Sequence, residues 1–71
     1  MLSADRRAEI RRQAVVRARA LDDKALIHES FRLTVAHANA EAGDERDALE
    51  IESDVHALEN GTRNLRQEKA S

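Results

Sequence analysis

The sequence predicts an all-α fold, either a small three-helix bundle or a helical hairpin preceded by an N-terminal helix. Three observations lead there. The 71 residues contain no proline and only two glycines, Gly43 and Gly61, while alanine, arginine, glutamate and leucine, all strong helix formers, are abundant. Apolar residues recur every three or four positions, and few stretches alternate with period two long enough to make a strand. Cap and stop residues then divide the chain into three segments. At this length the chain is one domain.

Ser3 is placed to cap a first helix over about 4–21, with Asp5 in its first turn. Leu21 gives way to Asp22-Asp23, a second cap with acid at the positive end of the next helix. That helix is predicted over about 23–42 and stops at Gly43. Asp44-Glu45 opens the third, over about 45–60. Asn60-Gly61 is expected to end or kink it, leaving a short helical tail over about 62–69.

With about 100° between successive residues of a helix, the faces separate. In helix 3, Ala48, Ile51, Val55 and Leu58 form a narrow stripe whose spacing continues to Thr62 and Leu65. Asp47 and Asp54 flank it on one side, Glu52 and Glu59 on the other. In helix 1 the stripe is Ile10, Ala14, Val15, Ala18 and Leu21. Arg6 and Arg17 border it on one side, Arg12 and Arg19 on the other, so helices 1 and 3 are complementary in charge along their seams. Helix 2 has two apolar faces. Ile27, Phe31, Thr34, Val35 and Ala38 make one; Leu26, Leu33, Ala36 and Ala40 make the other. A helix apolar on two sides needs neighbours on two sides, which places helix 2 at the centre of the assembly.

Hydrophobic residues are 41% of the chain, but thirteen of them are alanine, so a single-chain core is thin. Small domains offset such a deficit with disulfides, metal or oligomerisation. There is no cysteine, which excludes disulfides, zinc–thiolate sites and thiol catalysis. A homodimer is therefore expected. The longest apolar runs, Ala14-Val15-Val16 and Ala25-Leu26-Ile27, are far short of a membrane span or a signal peptide. A cytoplasmic protein is expected, in which Asn60-Gly61-Thr62 is not used for glycosylation.

Charge is unevenly distributed. Residues 1–20 carry six arginines against Asp5 and Glu9, and residues 44–71 carry eight acids against four bases, within a chain of net charge −2. Arg6, Arg7, Arg11, Arg12, Arg17 and Arg19 are the residues a nucleic-acid contact would use. Against that reading, they divide into three directions around the helix, and no aromatic side chain accompanies them for base stacking. Helix 3, where a recognition helix would be basic, is acidic. Nucleic-acid binding is the alternative function. Arg7 and Arg11 lie near the middle of helix 1's apolar side, where an arginine fork suits a carboxylate across an interface.

Neither metal nor cofactor is expected. His28 and His37 fall on opposite sides of one helix, and His56 between Glu52 and Glu59 reads as surface ion pairing. No serine stands in a glycine-flanked elbow, and the isolated glycines make no phosphate-cradling loop. No enzyme activity is expected. What is left is apolar surface unexplained by a three-helix core, which on a small chain marks an interface. The expected function is a non-enzymatic module that regulates, inhibits or scaffolds a partner protein. Its dimer or partner interface is predicted at Leu26, Leu33, Ala36, Ala40 and Leu49, with Arg7 and Arg11.

Overall fold

A computed structural model describes the backbone of residues 1–70 and the side chains of residues 1–67. It contains three α-helices: α1 (Ala4–Ala20), α2 (Asp23–Asn39) and α3 (Asp44–Ala70). There is no strand among the described residues. Both predicted N-caps form. The Ser3 hydroxyl accepts from the Arg6 amide at 3.1 Å, and the Asp22 carboxylate from the Ala25 amide at 2.8 Å. Each satisfies an amide that the first turn of a helix leaves unpaired.

Two boundaries differ from expectation. α2 ends at Asn39 rather than near residue 42, because Ala40 turns extended and its amide closes on the His37 carbonyl at 3.3 Å. The reversal into α3 thus takes residues 40–43, with Gly43 at a φ of 150° where a side chain is strained. α3 does not stop at Asn60-Gly61; it runs unbroken to Ala70. A glycine within a helix costs only about 1 kcal/mol relative to alanine. Beyond it, Arg63 is anchored by other helices, its Nη2 donating to the carbonyls of Ala18 (3.2 Å) and Arg19 (3.4 Å). Tertiary contact outweighs the local breaker.

The helices run up, down and up. The Met1 amine meets Asp44 at 3.0 Å, and Arg19 meets Glu59 at 3.8 Å, so α1 runs parallel to α3. α2 runs antiparallel to α3: Asp23 reaches Arg63, while Thr34 reaches Ser53. Within the chain the helix that packs against both others is α3; α1 and α2 scarcely touch. At about 1.5 Å per residue, α3 sets the 44 Å long dimension of the molecule.

The core is small, as composition requires. Ile10, Ala14 and Ala18 of α1, Leu26 of α2, and Ile51 and Val55 of α3 are buried together, edged by Leu2, Val15, Leu21 and Ala48. The alanines let α1 lie close to α3. Leu33 is also buried, at 1% exposure. The leucine face of α2 is therefore internal, and the expectation that Leu26 and Leu33 face a partner is corrected. α3 covers one face of α2, and Leu26 and Leu33 lie on it. Ile27, Phe31 and Val35 are left outside.

Candidate functional site

α1 carries six arginines, and its parallel alignment with α3 brings three of them to that helix's carboxylates. Arg7 meets Asp47 at 3.6 Å, Arg17 meets Glu52 at 3.5 Å, and Arg19 meets Glu59 at 3.8 Å. Arg12 pairs with Glu9 on its own helix. The expected complementarity of helices 1 and 3 is real, with adjusted partners: Arg17 and Arg19 bond as border residues, while Arg7 takes Asp47. Arg7 thus finds a carboxylate within the chain. Arg6 and Arg11 are exposed and have no ion pair with any described residue.

Between α1 and α2, above α3, lies a groove of about 380 Å³. Arg17, Leu21, Glu29, Arg32 and Glu52 line it, and His56 forms its floor. His56 is 2% exposed, so the surface ion pairing expected of it with Glu52 and Glu59 does not form. Its Nδ1 lies 2.7 Å from the Glu52 carbonyl oxygen. A carbonyl only accepts, so Nδ1 carries the hydrogen of this bond. At the rim, Arg32 bonds Glu29. That hydrogen bond and the carboxylate's charge raise the pKa of the guanidinium further above its ordinary value. Arg17 and Arg32 are thus balanced by Glu52 and Glu29. No group of three or more His, Asp or Glu among the described residues is placed to hold a metal ion. The groove's lining has no hydroxyl or thiol for His56 to activate.

The remaining features are surfaces. On α2, Ile27, Phe31 and Val35 are exposed at successive turns of one face. Phe31, the only aromatic residue of the chain, is 71% exposed. On α3, Leu58 and Leu65 are 73% and 61% exposed. Leu58 opens a cleft against α1 that is lined by Val15 and Val55 and ringed by Arg11, Arg19 and Arg66. Of the remaining predicted interface residues, Ala36, Ala40 and Leu49 are half-buried, and Arg11 stands at the rim of this cleft.

α2 has the two apolar faces its periodicity predicts, but the leucine face lies inside and the Ile27–Phe31–Val35 face outside, the reverse of the expected arrangement. Leu58, expected in the core stripe of helix 3, is open to solvent. The signal that could have separated them is size: α1 turns Ala14 and Ala18 to α3, and small residues cover less of a neighbouring helix. The buried position of His56 had a signal too, since its spacing from Leu49 and Ser53 puts it on the side of α3 that α2 covers. No helix among the described residues is long and apolar enough to cross a membrane. The chain matches no family model, no curated protein and no solved structure.

Proposed function

We propose that this chain is a small non-enzymatic interaction module, working as a homodimer in the cytoplasm, that regulates, inhibits or scaffolds a partner protein. One observation carries the reading: α2 turns a row of Ile27, Phe31 and Val35 outward while its leucines fill the core. Burying apolar side chains is the main favourable term in association, and an aromatic among them is a typical anchor. A chain with so little core that still leaves its one aromatic residue outside is better matched to a second surface than to isolation. α2 is then covered on both sides, by α3 within the chain and by the partner outside.

The test compares proteins captured from the source cell by the wild-type chain and by Phe31→Asp. The substituted side chain is exposed, so the fold is expected to persist, with circular dichroism as the check. A partner held by the wild type and lost by the variant supports the reading. Identical capture by both overturns it.

Nucleic-acid binding is the second reading, favoured by the unpaired Arg11 beside Arg19 and Arg66. Four of the six arginines of α1 are already in ion pairs, which weakens it. Phosphate binding would fall steeply with added salt. A mobility-shift titration at low salt that detects no complex removes this reading.

A further inference from the structure

The α3 face bearing Leu58 and Leu65 has charged edges of opposite sign. On the side toward α1 stand Arg11 of α1 and Arg66 of α3, both lining the same cleft. On the side away from α1, helical spacing places Glu50 and Asp54, both exposed. Neither Glu50 nor Asp54, and neither Arg11 nor Arg66, has an ion pair with a described residue. α2 covers the opposite side of α3, through Leu49, Ser53 and His56, so this face is clear of it. The pairs Arg7–Asp47 and Arg19–Glu59 set the level of α1 on α3. By that alignment Arg11 stands level with the interval from Glu50 to Asp54, across the Leu58 line from them.

We propose that this face binds a second copy of the same chain, in parallel, about a two-fold axis running along α3. This inference rests on the reading of the chain as a self-associating module and names the surface. Leu58 and Leu65, two turns apart, pack against the same residues of the second copy, continuing the three-and-four spacing of Ile51 and Val55 beyond the part that α1 buries. In a parallel two-fold pair, the left edge of each copy meets the right edge of the other at the same level. Arg11 of each chain then faces Asp54 and Glu50 of the other. An antiparallel pair would instead lay acid on acid and arginine on arginine, so charge selects the orientation. The area is sufficient. α3 is about 40 Å long and the 17-residue α1 about 25 Å, so at about 10 Å of width each they present roughly 650 Å², within the range of about 600–1,000 Å² per partner of a stable interface. That is a modest part of the chain's 5281 Å².

The experiment is sedimentation equilibrium on the full chain and four variants. Wild type is expected to be dimeric at micromolar concentration. Leu58→Asp combined with Leu65→Asp is expected to be monomeric with unchanged helicity, because both side chains are exposed in the single chain. Arg11→Glu and Asp54→Arg should each weaken association about tenfold, since each pair occurs twice in the dimer. The two together should return the affinity to within about threefold of wild type. Orientation is read separately: the chain has no cysteine, so Leu65→Cys should form a disulfide-linked dimer under mild oxidation while Phe31→Cys should not. A wild type that stays monomeric at hundreds of micromolar overturns the proposal. So does a dimer indifferent to the leucine substitutions, or a charge swap that fails to restore. Phe31→Asp leaves this dimer intact, so loss of the partner and loss of the second copy are told apart.

Discussion

The guanidinium of Arg63 stands 3.0 Å from the Asp23 carboxylate and ties α3 to the joint between α1 and α2. The same side chain, largely buried, donates to two carbonyls at the end of α1 and lies near Glu59. One residue thus closes the C-terminal end of α1 and contacts the N-terminal turn of α2 from the part of α3 beyond Gly61.

Arg63→Ala should therefore destabilise the fold by about 2 kcal/mol, the scale of charge-assisted hydrogen bonds lost from a shielded site. Arg63→Lys should recover only part of that, because an ammonium cannot span two carbonyls and a carboxylate as a planar fork does. Urea unfolding followed by circular dichroism measures both. Equal stability of wild type and Arg63→Ala would show that the tie is not needed.

Leu33 and Phe31 share a helix and should respond in opposite ways. Leu33→Ala empties a buried site and should cost about 2–5 kcal/mol, enough to leave a chain this small largely unfolded. Phe31→Ala removes an exposed ring and should shift stability by less than about 0.5 kcal/mol. Thermal melts of the two variants at a single concentration decide this, and similar losses would reverse the assignment of the faces of α2.

The glycines separate as well. Gly61 lies in a helix with nothing within 4 Å of an added Cβ. Gly61→Ala should accordingly stabilise by about 0.5–1 kcal/mol. Gly43, at φ 150°, has equal space but a backbone that side chains avoid, so Gly43→Ala should destabilise by about 1 kcal/mol. Paired urea titrations read both signs, and a shared sign would contradict the conformation of one of them.

Ser30 has a buried hydroxyl oxygen without a hydrogen-bond partner among the described residues. Ser30→Ala removes that unpaired group and should be neutral or stabilising by up to about 1 kcal/mol. A loss of stability on differential scanning calorimetry would mean that the hydroxyl has a partner, such as a bound water.

Much of this was legible from residue order, for local reasons. Ser3 and Asp22 mark helix starts because their side chains satisfy amides two or three positions on, and Gly43 marks a reversal because other residues resist its backbone conformation. The opposed charge of helices 1 and 3 could be read from spacing, and Arg17–Glu52 and Arg19–Glu59 express it. The choice between Leu26–Leu33 and Ile27–Phe31–Val35 could not be read that way. Both rows satisfy the same periodicity, and only the packing of α2 on α3 puts Leu26 and Leu33 inside. The fate of Arg7 and Arg11 was equally hidden. Periodicity put both at an apolar face, and only the alignment of α1 on α3 pairs Arg7 with Asp47 and leaves Arg11 open.

The sequence alone determined the helical class, the number of helices and their starts, because caps and periodicity act within a few residues. Tertiary structure decided which apolar face became core, that α3 continues through Gly61, and that His56 lies beneath a groove. Those outcomes depend on which helices lie beside one another, and contacts between distant segments outweigh local preferences worth about 1 kcal/mol.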